Sequence, residues 1–166
     1  MNRLLVFAVL LIMIGSCSNP TLKEKIENQE KKLLENQTKA VGEEDVKKLL
    51  DNYLEYASKN PSDSLAPEYL FKAADLMMNT GMPVKSVEQL DKLMNGYPDF
   101  SRNSDALFLK GFILENHLGE LGRAKSVYEL FLKKYPEHEF ADDVEVSIKY
   151  LGRTPEEMVR EFEQNQ

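Results

Sequence analysis

Three prolines constrain this chain more than any other feature. Pro61, Pro98 and Pro136 stand 37 and 38 residues apart, and each closes a segment with apolar residues at three- and four-residue steps. Proline has no N–H to donate and restricts the residue before it, so it ends a helix. The clearest segment is Ala124 to Pro136. Ala124, Val127, Tyr128, Phe131, Leu132 and Tyr135 form an apolar stripe there, with lysine and glutamate on the other side. Tyr97-Pro98 and Asn60-Pro61 repeat the ending. A near-constant period of this length, without strand-like alternation, marks an all-α array of helical hairpins.

Between the prolines the hairpins can be traced. Gly42 precedes a helix over Asp45–Lys59, and Asn60 to Ser64 is a turn cluster. Pro67 fits the first turn of a helix that runs to Asn79. Thr80-Gly81-Met82-Pro83 breaks the chain, and Val84–Tyr97 returns. Asn103 or Ser104 is expected to cap a helix reaching His117, and Leu118 to Gly122 turns into the segment described above. Ala141–Leu151 ends at Gly152, and Thr154-Pro155-Glu156-Glu157 has the form of a capping box opening a last helix. Upstream, Leu22, Ile26, Leu33 and Val41 give a thin stripe interrupted by Gln29 and Gln37. That stripe suits either the first helix of the first hairpin or a short coiled coil. The expected division is 1–16 signal segment, 17–21 tether, 22–42 charged helix, 43–152 repeats and 153–166 capping helix.

Chemistry is sparse. The net charge of −7 argues against nucleic acid, which is held largely by lysine and arginine. One cysteine excludes an internal disulfide and a multi-cysteine zinc site. His117 and His138 share no i, i+4 spacing, and no glycine-rich phosphate loop or Ser-His-Asp arrangement is present. Met77 and Met78 suit core filling. No enzyme, metal or cofactor is expected; a carrier or enzyme on the helical scaffold would need a convergent polar pocket that these residues do not build.

The N-terminus reads as an address. Arg3 precedes an apolar run from Leu4 to Ile14, too short to span a bilayer, then Gly15-Ser16-Cys17. Ile14-Gly15-Ser16-Cys17 resembles a bacterial lipobox, which implies lipidation of Cys17 and membrane attachment through the acyl chains. Ser18, where an aspartate would signal retention, favours the outer membrane by resemblance to the enterobacterial sorting rule. The side faced, periplasm or cell surface, is not written in these residues.

Superposed, the repeats resemble the tetratricopeptide family. Ala74, Gly81, Ser86, Leu90, Leu93 and Pro98 match its pattern in one unit; Gly111, Gly119, Ala124, Tyr128, Phe131 and Pro136 match it in the next, with one extra turn residue. Ser86 and Phe131 depart from the family's small residues. The form A-x-x-x-Y-x-x-F-L-x-x-Y-P is similar to envelope lipoproteins and periplasmic factors of the BamD-like (outer-membrane assembly) and YbgF-like (Tol-Pal accessory) type. The resemblance implies antiparallel hairpins stacked as a short superhelix that binds proteins without catalysis. An oligomeric accessory protein, joined through an N-terminal coiled coil, is the alternative.

In such stacks the first helix of each pair lines the concave face. That nominates Glu68, Phe71, Asp75 and Asn79 on one first helix, and Asp105, Phe108, Phe112, Glu115 and Asn116 on the next. Phe71 with Phe108, and Asn79 with Asn116, are 37 residues apart. The asparagines suit either a clamp on a ligand backbone or helix closure, and the phenylalanines suit either pockets or core. The acids stand where chaperone-binding relatives carry cations, so neutral or basic segments are the expected partners.

Overall fold

The computed structural model describes residues 19–35 and 42–164. The signal segment, Cys17, Gln37 and Val41 lie outside the described residues. Among the described residues eight helices follow one another: α1 (Leu22–Glu35), α2 (Glu43–Lys59), α3 (Leu65–Asn79), α4 (Pro83–Gly96), α5 (Asn103–Asn116), α6 (Leu121–Lys134), α7 (Ala141–Tyr150) and α8 (Pro155–Gln164). From α1 to α7 each packs on its neighbour in the chain, and no strand occurs among the described residues. This is a stack of antiparallel hairpins.

The turns follow the sequence closely. Gly81 and Gly119 adopt φ of 76° and 65°, a region that side chains with a Cβ resist. Pro83 opens α4, where its missing N–H costs nothing. The first and last helices carry reciprocal caps. Thr154 N–H donates to Glu157 Oε2 at 2.8 Å while Glu157 N–H donates to Thr154 Oγ1 at 3.2 Å. Thr21 and Glu24 do the same at α1, at 2.7 and 3.2 Å. The expected cap at α5 is corrected: neither Asn103 nor Ser104 caps it, because α5 begins at Asn103 after Arg102 and has no side-chain cap. The Asn103 amide is drawn away to the carbonyls of Tyr97 and Pro98, at 2.8 and 2.9 Å.

Two apolar clusters share α3. Tyr69, Ala73 and Met77, at four-residue steps, join Ile26, Leu49, Leu50, Tyr53 and Tyr56 from α1 and α2. Phe71 and Ala74 turn the other way, to Val87, Leu90 and Leu93 of α4 and onward to Leu107, Ile113, Tyr128 and Phe131. A helix apolar on both sides has to be buried between neighbours. Ile26 is fully buried, and Glu30 of α1 accepts from Tyr53 at 2.7 Å and from Lys72 at 2.9 Å. The apolar stripe of α1 is thus taken up inside the chain along Leu22, Ile26 and Leu33, and Leu34 remains exposed.

Hairpins close tightly where small residues meet. Ser86 Oγ donates to Ala74 O at 2.6 Å in a fully buried contact between α3 and α4. Gly111 lies against the ring of Tyr128 across α5 and α6. Phe131, the other departure from the family pattern, is fully buried among Phe108, Tyr135 and His138, with ring centroids 5.4 to 6.1 Å away.

Candidate functional site

The face nominated by sequence is crossed by a residue that sequence did not nominate. Arg102, just before α5, donates from its terminal nitrogen to Glu68 Oε1 at 2.9 Å and from Nε to Asp105 Oδ2 at 2.9 Å. Its guanidinium carbon lies 4.0 Å from the centre of the Phe71 ring. A planar cation with forked donors suits this double role, and the ring face adds attraction to a delocalised positive charge. Glu68 and Asp105, from different hairpins, therefore share one cation. On its far side Asp105 Oδ1 is 3.6 Å from His138 Nε2. His138 Nδ1 accepts from the Phe140 N–H at 3.3 Å, which leaves Nε2 to carry the proton facing Asp105.

The nominated aromatics divide. Phe71 is buried beneath Arg102. Phe108 is half-buried, stacked on Phe140 with centroids 4.6 Å apart, so it joins α5 to the turn before α7. Phe112 is exposed and meets the ring of His117 edge-on at 5.8 Å. The asparagines behave alike: Asn79 Nδ2 donates to Asp75 O at 2.9 Å and Asn116 Nδ2 to Phe112 O at 3.1 Å. Each closes the end of its helix, and each is exposed with the rest of its amide open.

Glu115 is engaged across the hairpin, where Oε2 accepts from the Tyr128 hydroxyl at 2.7 Å. Burial first, and this acceptor second, push the Tyr128 phenol well above its ordinary range. Asp75 is exposed on α3. The nominated face thus has an engaged part, made by Glu68, Phe71, Asp105, Phe108 and Glu115, and an open part, made by Asp75, Asn79, Phe112 and Asn116.

Among the described residues no group of histidine, cysteine and carboxylate side chains is arranged to hold a metal ion, and no helix is long and apolar enough to cross a membrane. Surface hollows occur elsewhere among the described residues. One, of about 540 Å³, lies between the turns at Pro61–Ser64 and Gly96–Ser101; another, of about 280 Å³, lies between α4, α5 and α6.

A family model described as "Tetratricopeptide repeat" matches residues 105–138, which begin at Asp105 and end at its neighbour His138. No curated protein matches the chain. The matched stretch is α5, α6 and the proline turn after them, one repeat within a longer run of hairpins. Repeats of this type generally mediate contacts between proteins and typically form non-catalytic scaffolds. The described residues form an all-α stack of helical hairpins, and one hairpin, α5–α6, matches the tetratricopeptide repeat.

Proposed function

We propose that this protein is a lipid-anchored scaffold of the bacterial cell envelope that recruits another envelope protein on the side lined by α3 and α5. In this reading Cys17 carries the lipid, the outer membrane holds the anchor, and the repeats face the periplasm. The form of Ala124–Pro136 and the lipobox-like Ile14–Cys17 support a relationship to the BamD-like and YbgF-like types. Anchoring raises local concentration, so a modest affinity suffices.

One observation carries the binding face: two equivalent first helices present the same exposed ending, Asn79 and Asn116, beside Asp75 and Phe112. Arg102 pairs with two of the four nominated acids, Glu68 and Asp105, and the face as a whole favours neutral or basic segments. Asp75→Lys with Phe112→Ala changes only exposed residues. Crosslinking in the envelope followed by mass spectrometry should show the main partner lost with this pair; undiminished capture refutes the face. Cys17→Ser should release the protein from membranes, and a mature wild-type chain without lipid refutes the anchor.

A further inference from the structure

Helices α1 and α2 run antiparallel. Lys32 Nζ lies 3.1 Å from Asp45 Oδ2, and Gln29 accepts from Asn52 at 2.7 Å. The start of α1 therefore stands at the edge where α2 ends at Lys59 and the turn at 60–64 begins. The later hairpins alternate in the same way, so the turns after Gly96 and Lys134 share that edge. Contacts along it agree: Arg102 reaches Glu68, Asp105 faces His138, and the hollow of about 540 Å³ joins the turns at 61–64 and 96–101. Asn79, Gly81, Asn116 and Gly119 lie at the opposite edge, a helix length away. At about 1.5 Å per residue, the 15 residues of α3 put the two edges about 22 Å apart.

The start of α1 is firmly held. Thr21 and Glu24 cap it, Ile26 is fully buried, and Glu30 accepts from Tyr53 and Lys72. Three residues, Ser18, Asn19 and Pro20, separate Thr21 from Cys17. At about 3.5 Å per residue, the four steps from Cys17 to Thr21 span at most about 14 Å, less than the distance between the edges. A lipid on Cys17 therefore cannot stay in a bilayer while the chain rests on its Asn79 and Asn116 edge. We propose that the turn-bearing edge is a second interaction surface, and that its partner is the headgroup layer of the anchoring membrane. This rests on the lipid at Cys17 proposed above. Tyr97, half-buried in the wall of the hollow, has the amphipathic ring that suits this layer. Asp63 and Asp99 of the turns stand with Lys59 and Lys134, which close α2 and α6, so the edge carries both signs and fits a zwitterionic surface. The open part of the α3–α5 face is thereby held off the bilayer, toward partners that arrive from the far side.

The chain has no tryptophan, so a single introduced indole reports alone. Ser62→Trp and Ser101→Trp mark the turn edge, and Val84→Trp marks the opposite one. All three positions are exposed, so the melting temperatures should stay put. The lipidated full chain is placed in phosphatidylcholine vesicles brominated just below the headgroups. Indole emission should fall roughly twofold or more at Ser62→Trp and Ser101→Trp against unbrominated vesicles, and hold steady at Val84→Trp. Inserting about twelve Gly and Ser residues before Thr21 should abolish the difference, because the longer linker frees the edge. Equal quenching at both edges, quenching confined to Val84→Trp, no quenching in chains that float with the vesicles, or an insert without effect each overturns the assignment. Chains that do not float refute the lipid anchor and this surface with it, and flotation read on the same samples tells the two failures apart.

Discussion

A Cβ built on Gly111 would fall 2.6 Å from Cδ1 of Tyr128 and nearer still to Cε1. The helix backbone of α5 is thus in direct contact with an aromatic face of α6, and Tyr128 is held in place by its hydroxyl bond to Glu115. The contact sets the separation of the hairpin.

Gly111→Ala should therefore destabilise the fold by about 1–3 kcal/mol despite alanine's better helix propensity, because the ring has to be displaced from a packed core. Urea unfolding of the variant, alone and with Tyr128→Leu, checks this. The double variant should recover part of the loss that a simple sum predicts.

Ser86→Ala removes the buried donor to Ala74 O and should cost about 0.5–1.5 kcal/mol. Ser86→Val should cost more, since the added methyls enter a site with no room between α3 and α4. Thermal melts of both variants rank the two effects.

Arg102→Lys should fail to substitute for arginine, because one ammonium cannot fork between Glu68 and Asp105 and lie flat on Phe71. The Arg102 side chain is 39% exposed, so solvent screening keeps the loss to about 1 kcal/mol or less. Unfolding at low and high salt should show the wild-type advantage shrinking as salt rises.

Alkali should unfold this protein through its buried phenols. Burial first, and then carboxylate neighbours, raise Tyr53, Tyr128 and Tyr69, the last to about 12. Each folded value lies above the unfolded value of about 10, so the stability they contribute is complete below about pH 10 and is lost as pH rises through the folded values. Melts from neutral pH upward should hold steady, then fall, and Tyr128→Phe should fall less steeply.

What was legible in the sequence is what the chain settles locally. The helices, the glycine turns at Gly81 and Gly119 and the Thr154–Glu157 box depend on residues a few places apart or on the repeat itself. What stayed hidden depends on register between hairpins. Nothing near Arg102 in the chain points to Glu68, 34 residues away, or places Asp105 beside His138. The 37-residue spacing of Asn79 and Asn116 was readable, but a helix-closing bond and an outward clamp share it. Asn103 departs from its expected capping role because cap preference is local, whereas the two carbonyls that capture its amide are gathered by the tight turn at Tyr97-Pro98.

The Arg102 bridge makes charge a property of company. A hairpin cut out at α3–α4 would leave Glu68 bare, and one beginning after Arg102 would leave Asp105 bare as well. Fragments of this protein would thus be harsher electrostatic objects than the parent. A ligand that prised two hairpins apart would have to part an anion from its cation.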